Sequence, residues 1–233
     1  MSFRSPFLRL FFLPLILLFA LGTAWGGGLD IYFVRHAQTV ANASGQHNKQ
    51  SSGSFSEDGE RQIAELTETL RDLHFDAILV SPTERTLYTI LPYLKQQQLT
   101  AAIWPELTEC CWQEDRQATG GLLQKGKAII LEADAAPYFN FRNAASAMHY
   151  SNRSYADGVA QVEEAYRLLR SDYFSSGKTI LIVAHYHSGG LLLSKLLGIP
   201  REALPGPENA KLTHLRQDAD GKFRLLMLNG LPH

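Results

Sequence analysis

Cysteine is almost missing from this 233-residue chain, and the only two, Cys110 and Cys111, are adjacent. Across a trans peptide their Cα atoms stand about 3.8 Å apart, below the usual disulfide range of roughly 4.4–6.8 Å, which excludes a disulfide-stapled framework. In an oxidising compartment such neighbours could pair between chains or stay free. An excess of one charge is missing too. With 22 Lys+Arg against 23 Asp+Glu, a net charge of −1, the composition excludes a dedicated nucleic-acid binder. Charged residues make up only 19% and hydrophobic ones 45%, too apolar for a disordered chain and too mixed for a coiled coil. Long hydrophobic runs are absent as well: the apolar stretch at residues 10–21 falls short of the about 20 residues that span a bilayer. There is no internal repeat and no interdomain linker. The length suits one domain or two small ones, with apolar residues enough for a sizeable core.

The N-terminus is a separate object. Arg4 and Arg9 precede the apolar run, and Gly22-Thr23-Ala24 supplies small residues at an exit site. This order reads as a secretory signal peptide over residues 1–24, with a retained N-terminal anchor as its alternative. The remaining residues 25–233 then form an exported domain, periplasmic or secreted, that meets a membrane only if the leader is kept. Losing the leader leaves 20 basic against 23 acidic residues, so any anion-binding capacity is local.

From residue 29 onward, short β-like runs alternate with longer helical ones. That alternation predicts an α/β three-layer sandwich, a mostly parallel sheet with helices on both faces and an antiparallel C-terminal hairpin. Strands are expected at residues 29–34, 76–80, 101–104 and 179–184, the last apolar throughout as in a strand buried on both faces. The polar stretch 42–56 reads as a loop. Ser56 caps a helix to Leu70, and Ser81-Pro82 opens another to about Gln97. Residues 105–154 read as an irregular insertion over one end of the sheet, with Tyr138, Arg142 and His149 as candidates for the mouth of a crevice, each by default a structural or exposed residue rather than a substrate contact. Helices are expected at 155–174 and 188–197, the latter stopped by Gly198. Strands at 211–216 and 222–228 flank a turn at Asp218–Gly221.

The chemistry concentrates at the strand ends. Arg35-His36 follows the first strand, Arg85 comes shortly after the second, and His185 follows the central one. In an open α/β sheet, ligands bind outside the carboxyl ends of the strands, so two Arg and two His converge on one anion site. Each residue alone is unremarkable: a surface pair, a solvated charge, a core histidine. Their coincidence at three strand ends is what points to a phosphate or carboxylate ligand. His185 and His187 with His36 also permit a metal reading. The strand-to-helix turn at these residues, with no Cys or Asp at metal spacing, weighs against it.

The blocks Val34-Arg35-His36-Ala37-Gln38-Thr39 with Asn42, Phe55-Ser56-Glu57-Asp58-Gly59 with Gln62, Ser81–Thr86, Leu107-Thr108-Glu109 and Val183-Ala184-His185 followed by Ser188-Gly189-Gly190 resemble the histidine phosphatase superfamily, of phosphoglycerate mutase-like fold. The resemblance spans residues 29 to about 228. It implies a phosphatase acting on a small phosphorylated substrate, with no metal or other cofactor and no nucleic acid. His36 would be the nucleophile, forming phosphohistidine. Arg35, Arg85 and Asn42 would bind the phosphate, joined by His185, which as a cation would also stabilise the transition state. Glu109 would be the proton donor, with Glu106, Glu114 and Asp115 close by in sequence. The leader speaks against a glycolytic mutase, whose substrates are cytosolic. Ala37 stands where the family commonly has Gly and is expected to tighten the pocket. Gln38 replaces a frequent acid beside the phosphate, and Tyr186 a small residue. These departures keep a second reading open, a non-catalytic phosphate-binding protein of the same fold. The natural substrate and the oligomeric state are not legible. The Asn-x-Ser patterns at Asn42 and Asn152 are set aside, since a glycan on Asn42 would block the site.

Overall fold

The computed structural model describes residues 28–113, 120–151 and 153–233. The leader, Glu114, Asp115 and Asn152 lie outside the described residues. In chain order the elements are β1 (Asp30–Arg35), α1 (Val40–Ser44), α2 (Lys49–Gly53), α3 (Glu57–Leu70), β2 (Ala77–Val80), α4 (Glu84–Gln97) and β3 (Ala101–Ile103). Then come β4 (Lys125–Ala128), β5 (Phe139–Phe141), β6 (Met148–Tyr150), α5 (Tyr155–Asp172), β7 (Thr179–Ala184), α6 (His187–Leu197), β8 (Leu212–Gln217), β9 (Phe223–Leu228) and β10 (Leu231–Pro232).

One sheet has the order β10-β9-β8-β1-β7-β2-β3-β5. The five strands from β1 to β5 run parallel, and β8, β9 and β10 add antiparallel pairs at the other side. The all-apolar β7 lies between β1 and β2, where both its faces are covered. Its residues alternate as a strand must: Leu181 and Val183 pack with Ile63, Leu66 and Ile90 of α3 and α4. Ile180 and Ile182 pack with Val162, Leu169 and Leu193 of α5 and α6 on the opposite face. This is the expected three-layer architecture.

Four local expectations are corrected. The stretch 42–56 is not a plain loop, because Thr39 with Asn42 and Asn48 with Ser51 form reciprocal capping boxes that nucleate α1 and α2. The helix after β2 starts at Glu84, capped at Thr83, because the Ser81 hydroxyl is engaged with His185 instead of the helix. The segment 105–154 is not wholly irregular: β5 extends the main sheet beyond β3, and β4 pairs with β6 in a separate ribbon. The helix expected at 155–174 ends at Asp172.

The packing of α6 on β1 sets a strict size limit. A Cβ on Gly189 would come within 2.2 Å of Phe33 Cζ, and the Phe33 ring is fully buried. Alanine is the better helix former, but forcing it here overpacks a core with no room to relax. Gly189→Ala is therefore expected to destabilise the protein by about 1–3 kcal/mol, read as a lower urea midpoint at unchanged m-value.

Candidate active site

Parallel strands end on the same edge, and the sheet delivers its reactive residues there one per strand. Arg35 closes β1 and His36 follows it. Ser81 follows β2, His185 follows β7, and Glu109 comes after the 3₁₀ turn Pro105–Leu107 that leaves β3. A cleft of about 820 Å³ opens at this edge, lined by Arg35, His36, Asn42, Arg85 and Glu109, with Thr39, Ala41, His47, Ser52, Thr108, Trp112, Tyr186 and His187 around them. Five of the six expected site residues thus share one wall. The sixth, His185, is fully buried beside them, its ring centroid 5.3 Å from that of His36.

His36 is held on every side but one. Its N–H donates to the Ala184 carbonyl at 3.0 Å, and its carbonyl accepts from Asn209 Nδ2 at 2.7 Å. Its Nδ1 lies 2.8 Å from the Ala37 carbonyl, an atom that can only accept. The ring proton therefore sits on Nδ1, which leaves Nε2 with a bare lone pair. Burial, then the positive charge of Arg85 and of Arg35, pushes the His36 pKa down to about 3, against the opposing pull of the Ala37 carbonyl. The imidazole is therefore neutral near neutral pH.

Ala37 does not crowd the cleft. It is buried in the α3/α4-side core, and its N–H donates to Thr89 Oγ1 at 2.9 Å. Gln38 likewise turns away: its Oε1 accepts from Ser56 Oγ at 2.7 Å, and its N–H donates to Gln62 Oε1 at 2.9 Å. An acid at position 38 would meet Ser56 there rather than the cleft.

The cations carry unused donors. The Arg35 guanidinium lies over the Tyr186 ring, 5.0 Å from its centroid, and its Nη1 reaches only the Pro207 carbonyl, at 3.4 Å. Its buried Nε has no partner. The Arg85 guanidinium makes no hydrogen bond to a described residue, while its carbonyl accepts from Thr89 Oγ1 at 2.6 Å. Burial lowers the pKa of both guanidiniums while Glu109 opposes the shift, and both remain charged. His185 Nε2 lies 2.8 Å from Ser81 Oγ, and its buried Nδ1 has no partner. Where the hydroxyl donates, the ring proton sits on that Nδ1. Burial first, then Arg85, His36 and Arg35, drives the His185 pKa well below its ordinary value. Burial thus favours the neutral His185 imidazole over the cation that the resemblance implies. A buried donor without a partner costs about 1–3 kcal/mol, and Arg35 Nε, next to His36, is one that an anion can satisfy.

The same burial has a consequence for stability. Below the ordinary histidine pKa of about 6.5, His36 and His185 take protons only when the chain unfolds. The unfolded state binds more protons, so stability falls as pH drops from about 6.5 toward the folded value, near 3 for His36, by up to ~1.4 kcal/mol per pH unit for each histidine. Urea unfolding between pH 7 and pH 4 should show this slope, and His36→Asn should remove one histidine's share.

Glu109 is fastened to the start of α6. Its Oε1 accepts from the backbone N–H of Cys110 (3.2 Å), His187 (3.1 Å) and Ser188 (3.0 Å), and its Oε2 from Tyr186 (3.2 Å). Helix N-termini leave such N–H groups unpaired and favour a carboxylate. The Gln161 amide fixes the preceding backbone through the carbonyls of Glu106 and Thr108. Glu106 itself is buried away from the cleft, accepting from the Tyr150 hydroxyl at 3.0 Å.

The candidate crevice residues of the 105–154 segment take structural places instead, as their default reading has it. Arg142 pairs with Asp172 at 3.4 Å and lies over Trp104, Tyr138 packs under Lys95, and His149 does not reach the cleft. Trp112 lines it instead. Sequence reasoning also missed Ser81, Thr89 and Asn209. Ser81 stood in a quoted block, yet as a helix cap; Asn209 comes from 173 residues beyond His36 with no local pattern to announce it.

Comparison with known proteins shows the family of this fold. The profile of the histidine phosphatase superfamily (branch 1) matches residues 31–230, and the chain belongs to that superfamily. It is 26% identical over 176 residues to the adenosylcobalamin/alpha-ribazole phosphatase of Escherichia coli (strain K12), covering 76% of this chain and 83% of that one. It is 27% identical over 179 residues to the "Probable phosphoglycerate mutase GpmB" of Erwinia tasmaniensis, covering 75% and 78%. In fold it is similar to the alpha-ribazole phosphatase of Shigella flexneri, with a TM-score of 0.61 at 23% identity over 86% of this chain and 96% of that one. A mycobacterial glucosyl-3-phosphoglycerate phosphatase gives 0.60 at 21%, over 86% and 98%.

Proposed function

We propose that this protein is an exported, metal-independent phosphatase that hydrolyses a small phosphomonoester through a phosphohistidine on His36. The observation that carries the reading is the His36 ring: neutral, its proton committed to the Ala37 carbonyl, its Nε2 bare beside two guanidiniums with donors to spare. Phosphatases among the relatives of this chain support hydrolysis over mere binding. Export rests on the leader pattern of residues 1–24.

In this reading Arg35, Arg85, the Asn42 amide and His185 Nδ1 hold the phosphoryl oxygens, and Nε2 attacks phosphorus as the bond to the leaving oxygen breaks. Glu109, a carboxylate among the backbone N–H groups that hold it, takes the proton that the phosphomonoester monoanion brings in and gives it to that oxygen. The phosphohistidine becomes cationic, which strengthens its Nδ1–H bond to Ala37. Glu109, again a carboxylate, takes a proton from water as the water oxygen attacks phosphorus. The P–N bond breaks, inorganic phosphate leaves, and neutral His36 returns.

The test is hydrolysis of an aryl phosphate by residues 25–233 in chelator, with the enzyme quenched during turnover and digested under mildly alkaline conditions. Turnover with an acid-labile phosphoryl group on the His36 peptide is expected. A folded protein that binds inorganic phosphate without turnover would overturn the reading in favour of a binding protein.

A further inference from the structure

The mechanism leaves the two cysteines unused, and their surroundings are unusual. Side chains of consecutive residues normally diverge. Here Cys111 adopts a left-handed backbone, φ 68°, a conformation costing a non-glycine residue roughly 1–2 kcal/mol. The turn brings both side chains to one side, with Cys110 Sγ and Cys111 Sγ 2.6 Å apart. Both thiols are buried, so neither can reach a second chain while the protein is folded. They pack against α5 at Gly158, where a Cβ would fall 2.8 Å from Cys111 Sγ and 2.9 Å from Cys110 Cβ. The pair also adjoins the chemistry: the Cys110 N–H donates to Glu109 Oε1, and Trp112 lines the cleft.

We propose that Cys110 and Cys111 are a reversible modification site, a vicinal disulfide whose formation displaces the Glu109 carboxylate. The oxidant is a disulfide, either a small-molecule one or that of a thiol oxidoreductase. One cysteine thiolate attacks it, forming a mixed disulfide and releasing one external thiolate, which takes up the lost proton. The neighbouring cysteine, deprotonated in turn, attacks its partner's sulfur and expels the second external thiol. Two electrons pass from the two cysteines to the external disulfide, and two thiols are released. Closing the ring between adjacent residues requires the intervening peptide to turn, since their Cα spacing of about 3.8 Å is shorter than disulfides prefer. That turn moves the Cys110 N–H from Glu109 and strains the new bond, which makes it easily reduced. Contact with Cys111 and burial raise the Cys110 thiol pKa well above its ordinary value, so exchange waits on local opening of the folded chain. The effect on turnover rests on the proposed role of Glu109; the modification itself does not.

The experiment incubates residues 25–233 with oxidised glutathione at pH ~8.5, near the ordinary thiol pKa, in the presence of mild urea to permit opening. The protein is then denatured, blocked with N-ethylmaleimide and weighed by intact mass spectrometry. A monomer lighter by two hydrogens that takes up no maleimide supports the proposal. Two maleimides on every chain, a lasting glutathione adduct or a disulfide-linked dimer would overturn it. In parallel, kcat for an alkyl phosphate should fall about 10-fold on oxidation, part of the ~10²–10⁴ expected of a proton donor, with KM unchanged and full recovery in dithiothreitol. Cys110→Ala/Cys111→Ala should show no response to either reagent, and the reduced wild-type protein serves as the same control should that variant fold poorly. A disulfide that forms without changing kcat overturns the link to Glu109. Absence of turnover in both redox states counts against the phosphatase reading instead, while the mass measurement still decides the modification.

Discussion

His36→Ala is expected to lose about 10⁴- to 10⁶-fold in kcat/KM for an aryl phosphate, the scale seen when a covalent nucleophile is removed from an otherwise intact site. Binding should largely survive, because Arg35, Arg85 and Asn42 remain and the charged donors dominate recognition of a phosphoryl group. Inorganic phosphate should therefore still bind within about tenfold of the wild-type affinity, measured calorimetrically, because the lost side chain is neutral in the folded protein. The combination is what discriminates. A variant that kept its turnover would remove His36 from the covalent step. One that lost phosphate binding together with turnover would show that the imidazole holds the anion rather than attacks it.

Glu109→Gln should separate the two halves of the reaction. The amide keeps one oxygen for the N–H groups of Cys110, His187 and Ser188 and gives up only the acceptor of the Tyr186 N–H, so most of the anchor at the start of α6 stays, but it can neither give nor take a proton. For an alkyl phosphate, whose leaving oxygen needs protonation, kcat should fall by about 10²–10⁴-fold. A nitrophenyl phosphate leaves without that help, so phosphorylation of His36 is spared and only the attack of water slows. Rapid mixing should then show a stoichiometric burst of nitrophenolate followed by slow turnover. Equal losses for both substrates with no burst would withdraw the acid and base roles from Glu109 and leave it a structural cap of α6.

The contrast between His185 and Glu109 shows how far a linear reading reaches. His185 was legible as a member of a strand-end cluster, and Glu109 through the resemblance to the superfamily. Their states were not. The resemblance implies His185 as a cation near phosphate. Complete burial beside Arg35, Arg85 and His36 disfavours that charge, and its Nε2 meets the Ser81 hydroxyl across 104 residues of chain. Ser81 shows the reverse case, a residue whose local pattern reads as a helix cap but whose hydroxyl is claimed by a distant partner. Ala37 and Gln38 raised doubts about the site that disappear once their side chains are seen to face the core and Ser56. Thr39 and Asn48 err in the opposite direction, since their capping boxes are local signals inside a stretch that read as loop.

What the order of residues determined by itself is whatever depends on period and local chemistry. The alternation of β7, the helical spacing of Ile63, Leu66 and Leu70, the Ser56 cap and the stop at Gly198 each arise within a few residues. So did the convergence of Arg35, His36, Arg85 and His185, because parallel strands must end on one edge, whereas Glu109 came from the resemblance to the superfamily. Only the tertiary structure decided which imidazole nitrogen is bare, which buried donors lack partners, which acid faces the cleft and which helix end receives it. Those properties come from desolvation and from hydrogen bonds between residues far apart in the chain, and neither exists until the layers have packed.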